Sequence, residues 1–129
     1  MKITLHGEIF KMRSEWNEER TFPIKGDMLL GAKADDGGLL RPHIVWFGEA
    51  VPMIEKAVEI TRQADVFAVV GTSLLVYPAA GLLHFVDPAA SVFVIDKKIP
   101  NLPRNLPVVT IETTAVEGVS RFVRMLRES

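Results

Sequence analysis

The sequence contains no cysteine, which excludes disulfides and thiolate zinc sites and accords with a reducing, cytoplasmic setting. No excess of either charge is present: 15 Lys and Arg stand against 16 Asp and Glu, and neither sign forms a run. A nucleic-acid partner would leave a basic stripe, so none is expected. No apolar stretch is long enough to span a bilayer, and Met1-Lys2-Ile3-Thr4-Leu5-His6 lacks the apolar core of a signal peptide, so no membrane association is expected. Repeats, low-complexity tracts, a Walker loop and a Gly-x-Ser-x-Gly elbow are also missing. No two histidines stand at metal-ligand spacing, so no metal site is expected.

What is present is apolar. Hydrophobic residues make up 48% of the 129 positions, too many for a disordered chain and enough for a real core. Composition divides the chain near residue 40. Residues 1–40 read as irregular: a strand-like start, a charged and aromatic middle, then a Gly- and Asp-rich stretch over 31–38 that reads as turn or mobile loop. The mixed charges of Glu15 to Arg20 read as a solvated face.

Residues 41–129 are orderly. Ile44-Val45-Trp46-Phe47 is a short apolar run that reads as a buried strand. After Pro52, the residues Met53, Ile54, Ala57, Val58, Thr61 and Ala64 fall on one helical face. Val66 to Val70 and Ser91 to Ile95 are apolar without alternation, as parallel strands covered on both faces are, and Val108 to Ile111 is a weaker third case. Thr114-Ala115-Val116-Glu117 matches a capping box and opens a helix with an apolar stripe of Ala115, Val116, Val119, Phe122, Val123 and Leu126. This rhythm predicts an α/β fold: part of a doubly wound, Rossmann-like parallel sheet with flanking helices, beside a small irregular module.

Several residues stand where chemistry is done. Gly71-Thr72-Ser73 directly follows a strand, and ligands of open parallel sheets bind beyond the carboxyl ends of strands. Glycine there admits close approach, and two hydroxyls suit a ribose or phosphate, although many such turns only link strand to helix. Asp96 ends the next strand and could accept from ribose hydroxyls or simply sit in an exposed turn. Of the histidines, His6 precedes Gly7 at the end of the first strand-like segment, where a general base could face a cleft; His43 and His84 lie among apolar neighbours.

Two longer motifs are more specific. Leu40-Arg41-Pro42-His43-Ile44-Val45-Trp46-Phe47-Gly48-Glu49-Ala50-Val51-Pro52 resembles the sirtuin signature around the substrate groove. Val70-Gly71-Thr72-Ser73-Leu74-Leu75-Val76-Tyr77-Pro78-Ala79-Ala80-Gly81 resembles the next signature of that family, in the right order. Leu5-His6-Gly7 is similar to its catalytic His-Gly, and the resemblance covers most of residues 1–126.

The resemblance implies an NAD-dependent protein-lysine deacylase of bacterial type, with NAD as cosubstrate and an acyl-lysine protein or peptide as substrate. In such enzymes the acyl oxygen attacks the nicotinamide ribose, nicotinamide leaves, and a histidine activates a ribose hydroxyl to collapse the imidate. Carried onto this sequence, His6 is the base. Val45, Phe47 and Gly48 line the acyl-lysine tunnel, and Gly48-Glu49 and Val76-Tyr77 flank the substrate backbone, a form of β-augmentation. Gly71, Thr72 and Ser73 face phosphate and ribose, Asp96 the adenine ribose, and the turn at Ala115 the adenine.

Three departures qualify the match. The family's glycine-rich NAD loop and its Gln-Asn-x-Asp motif, which precede the histidine, are not in this chain. The small module usually holds four zinc cysteines, whereas here no zinc is expected and Phe10, Trp16, Phe22 and Ile24 are left to form its core. Asp96 stands where the family usually has Asn. The chain alone is therefore expected to be nearly inactive. The alternatives are a non-catalytic module that binds partners or itself through an uncovered half-sheet, and a module that binds NAD without turnover.

Overall fold

The computed structural model describes residues 1–102 and 106–128. The chain forms two compact units, Met1–Met53 and Ile54–Ser129. The expected division near residue 40 thus falls later, because residues 40–44 pair with the first strand instead of joining the parallel sheet.

The first unit is a three-stranded antiparallel sheet of β1 (Gly7–Ser14), β2 (Asn17–Pro23) and β3 (Leu40–Ile44), in the order β2-β1-β3. This corrects the expectation of an irregular module. β2 carries Asn17-Glu18-Glu19-Arg20 exposed in succession, so it lacks the alternation that marks a half-buried strand. Its hairpin is set by Asn17, whose side-chain oxygen accepts from the amides of Glu19 and Arg20. The ladder from β1 to β3 shifts between Glu8 and Met12, which puts Ile9 and Phe10 outside the regular pairing. Phe10 is accordingly 81% exposed, and Trp16 is exposed as well, so neither forms the core expected of it.

A polar knot ties this unit instead. The buried Ser14 hydroxyl donates to the Asp36 carboxylate across 2.8 Å, and the Gly38 amide donates to the same oxygen across 2.9 Å. The Trp16 amide donates to the Ser14 hydroxyl across 3.2 Å. Gly38 lies so close to Ser14 that a Cβ would collide with its hydroxyl and crowd the Trp16 ring. The Gly- and Asp-rich stretch is therefore a hydrogen-bonded turn.

The predicted strand at Ile44 to Phe47 also lies earlier than expected. β3 ends at Ile44; its edge position tolerates Pro42, which lacks an amide. Trp46 and Phe47 are exposed rather than buried, Phe47 at 95%.

The second unit matches the α/β expectation. Helix α1 (Ile54–Arg62) precedes β4 (Val66–Val70), followed by a 3-10 helix (Ala79–Phe85), β5 (Ser91–Asp96), β6 (Val108–Glu112) and helix α2 (Ala115–Glu128). β4, β5 and β6 form a parallel sheet in that order. The central strand β5 is buried on both faces because its residues alternate between two clusters. Val92 and Val94 pack with Val69, Leu83, Val86 and Ala90 on one face. Phe93 and Ile95 pack with Ile111 and Phe122 on the other, where the Phe93 and Phe122 rings meet edge to face at 4.9 Å.

Helix α2 reaches the sheet through Gly118, where an added Cβ would collide with the Ile95 side chain. Its cap is half of the expected capping box. Thr114 Oγ1 accepts from the Glu117 amide across 3.4 Å, while the Glu117 carboxylate takes the Thr113 hydroxyl across 2.7 Å instead of reaching back to the Thr114 amide.

Candidate functional site

In the first unit His6 sits in the turn that enters β1, not at the end of a strand. Gly7 closes that turn with φ +89 and its amide on Thr4, a conformation that side-chain-bearing residues rarely adopt. The His6 ring is exposed, and its carbonyl accepts from the Val45 amide across 3.0 Å. Gly7 and Ile44 are registered partners, so the His6–Val45 bond extends the β1–β3 ladder by one rung. His6 and Val45, chosen from separate motifs, are thus adjacent in space. Val45 borders a cavity of about 510 Å³ with Leu5, Gly7, Arg13, His43 and Met53; His6 and Phe47 do not line it.

Beyond Val45 the chain makes a four-residue turn, in which the Glu49 amide donates to the Trp46 carbonyl across 3.1 Å and Gly48 takes φ +88. The Glu49 carboxylate has internal partners. Arg41 forks onto both of its oxygens at 2.8 and 2.9 Å, and the Trp46 amide donates to Oε2 across 3.0 Å. The Arg41 bonds, followed by the Trp46 amide, hold the Glu49 carboxyl down at about 2. Both the carboxylate and the amide of Glu49 are therefore engaged within the turn. Arg41 was not among the residues singled out from sequence. The signal for it was present: opposite charges bracket the apolar run from Ile44 to Phe47.

His43 is registered opposite Glu8 and its Nδ1 is buried without a hydrogen-bond partner. Burial, with the charges of Arg13 and Lys11, pushes its pKa below 6.5. His43 is a neutral packing residue, as its apolar neighbours suggest.

In the second unit the expected cofactor contacts gather at the carboxyl edge of the parallel sheet. The Gly71 amide donates to the Ile95 carbonyl across 2.9 Å, and the Thr113 amide donates to the Asp96 carbonyl across 3.0 Å. Gly71 turns out of β4 with φ +64, and open space surrounds the position of its missing Cβ. Thr72 and Ser73 are exposed, and the Thr72 hydroxyl accepts from the Leu74 amide across 3.3 Å. Ala115, the first residue of α2, is exposed at the same edge. Val76 and Tyr77 are exposed in the segment before the 3-10 helix, where Tyr77 borders a groove of about 660 Å³ with Ile54, Val58, Arg62 and Phe85.

Asp96 keeps one acceptor engaged with the Lys98 amide at 3.1 Å, and Glu112 is its registered neighbour on β6. Sequence reading missed Glu112, whose position at this edge depends on strand register. Acidic residues at paired positions of adjacent strands favour hydroxyl donors over an anion. Among the described residues no group of three or more His, Cys, Asp or Glu is arranged to hold a metal ion.

Known proteins resemble this chain over nearly all of its length. The Sir2 family model matches residues 2–78. An NAD-dependent protein deacylase of Bacteroides thetaiotaomicron is 43% identical over 96% of this chain and 56% of its own length. One of Helicobacter pylori is 40% identical over 98% of this chain and 55% of its own length. A Sir2 homologue solved as an ADP-ribose complex superposes with a TM-score of 0.79 at 30% identity, over 98% of this chain and 52% of that one. The chain thus spans about half the length of the relatives that it matches. With a family model covering more than half of its residues and an α/β fold shared with a solved homologue, the chain belongs to the Sir2 family.

Proposed function

We propose that this chain is the part of a bacterial NAD-dependent protein-lysine deacylase that supplies the general base, the acyl-lysine contacts and the ribose side of the NAD site, acting in the cytoplasm. The reaction is a transfer: the acyl group passes from lysine to ADP-ribose, and nicotinamide is released. The observation that carries the reading is the hydrogen bond from the Val45 amide to the His6 carbonyl, which couples the base to the apolar residue beside it. In this reading His6 removes a proton from a ribose hydroxyl of the cosubstrate. Val45, Phe47 and Gly48 hold the acyl-lysine, the main chains of Glu49, Val76 and Tyr77 pair with the substrate backbone, and Gly71, Thr72, Ser73, Asp96 and Ala115 meet NAD. The names of the relatives support the activity, and the homologue bound to ADP-ribose supports the cosubstrate.

The test is nicotinamide release from NAD with an acetyl-lysine peptide, using this chain beside His6→Ala. Release that requires the peptide and vanishes in the variant is the expected signature of the reading. Release that persists in His6→Ala would remove the histidine from its role. Folded chain that neither releases nicotinamide nor binds the peptide would leave family membership without the activity.

A second reading has its own observation. β4 lies at an edge of the parallel sheet, and Val66 and Val70 on it are 40% exposed, with no charge or proline to blunt the edge. In this reading that edge pairs with a second copy, and the chain self-associates. Light scattering that finds only monomer at high concentration would rule this out.

A further inference from the structure

The turn from Val45 to Glu49 combines two properties that rarely coincide. Its aromatic side chains face solvent, Trp46 at 54% and Phe47 at 95% exposure. Its backbone is nevertheless tied at three amides: Val45 to the His6 carbonyl, Trp46 to the Glu49 carboxylate, and Glu49 to the Trp46 carbonyl. A turn held by packing would bury its large side chains. This one is held from behind by charge, leaving its apolar surface uncommitted.

We propose that Arg41 and Glu49 are positioning residues for substrate, a charged clamp that fixes the Val45–Gly48 strap so that Phe47 and the neighbouring main chain meet acyl-lysine in one preformed arrangement. The proposal rests on the deacylase reading for the identity of the ligand, and on the structure alone for the clamp. Arg41 is suited to the task because its planar fork engages both Glu49 oxygens while Nη2 also lies 3.4 Å from the Ile44 carbonyl. One guanidinium thus ties the end of β3 to the far side of the turn. Gly48 supplies the remaining requirement, a positive φ that places Glu49 back over Trp46. Preorganisation of this kind improves affinity by removing the cost of ordering a loop at the moment of binding.

The experiment pairs two readouts on the 129-residue chain: affinity for an acetyl-lysine peptide by fluorescence polarisation, and ¹⁵N relaxation of the Trp46, Phe47, Gly48 and Glu49 amides. Glu49→Gln keeps an acceptor for the Trp46 amide but loses the charge-assisted fork. It should loosen those four amides while leaving β1 and β3 unchanged, and weaken the peptide by about tenfold. Arg41→Lys keeps the charge without the fork and should fall between Glu49→Gln and the parent. Unchanged relaxation and affinity in both variants would overturn the clamp, as would loosened amides with unchanged affinity. If the parent chain binds no peptide, the deacylase reading fails on its own account, and relaxation alone then decides the clamp.

Discussion

The amide of Val45 donates to the carbonyl of His6 across 3.0 Å, one rung beyond the registered pair of Gly7 and Ile44. Two short motifs far apart in sequence are therefore joined through main chain, and the position of each depends on the backbone of the other. Side-chain replacement at Val45 leaves this bond intact, whereas distortion of Gly7 does not.

Gly7→Ala is the direct test of that dependence. The new methyl would collide with the His43 carbonyl, at a residue whose φ of +89 is already unfavourable for alanine. A cost of about 1–3 kcal/mol is expected from each effect. Urea unfolding should show the loss, and the Val45 amide should exchange faster even below the unfolding transition.

The second unit should fail at the contact of α2 with β5. Ile95 is fully buried, so Ile95→Ala should cost about 2–5 kcal/mol and Ile95→Val about 0.5–1.5 kcal/mol. Gly118→Ala inserts a methyl where the Ile95 side chain already lies and should cost about 1–3 kcal/mol despite the better helix propensity of alanine. Val116→Ala, at 85% exposure, should stay within about 0.5 kcal/mol of the parent. Chemical denaturation of the four variants gives the ranking.

These sites show what the sequence made legible. The parallel strands β4 and β5 were evident as unbroken apolar runs, although only β5 is buried on both faces while β4 is an edge strand with Val66 and Val70 exposed, and α2 was evident from its cap and apolar stripe. β2 was not evident, since a strand exposed on both faces has no periodic signal to read. Phe10 and Trp16 misled for a related reason. Aromatic content suggests a core, but a register shift and a polar knot decide where those rings go, and both are properties of pairing rather than of composition. The site motifs could be read as strings; Arg41 and Glu112 gain their positions only from partners across the fold.

At β3 and the turn that follows it, acid should act through two groups, His43 and Glu49. The Glu49 carboxyl is held at about 2, below its ordinary 4.5, so the unfolded chain takes up a proton first as pH falls. Its contribution is complete above 4.5 and disappears as pH drops to about 2; because Glu49 is solvent-accessible, that contribution is modest. His43 is held below 6.5 chiefly by burial, so the folded state favours its neutral form. Its contribution is complete above 6.5 and declines as pH falls through the folded value. NMR titration should find the His43 midpoint below 6.5, and the Trp46 amide shift should stay constant from neutral pH down to 4.5.

Ser14→Ala should destabilise the same unit. The residue is 2% exposed, and its hydroxyl serves both as donor to Asp36 and as acceptor for the Trp16 amide. Leaving these groups unpaired should cost about 1–3 kcal/mol. Faster exchange of the Trp16 and Gly38 amides, ahead of those in β3, would locate the damage.

That knot also determines which solution conditions can loosen the unit. It joins positions 22 residues apart through a hydroxyl, a carboxylate and two amides, none of which a chelator or a reductant attacks. The Asp36 carboxyl is held below 3.8 by the Gly38 amide and then the Ser14 hydroxyl, so strong acid is the reagent that dissolves the link, and its return to neutrality restores it. The tie is made wholly of side-chain and main-chain groups brought from both ends of the segment, so it exists only while Ser14, Trp16, Asp36 and Gly38 stand together.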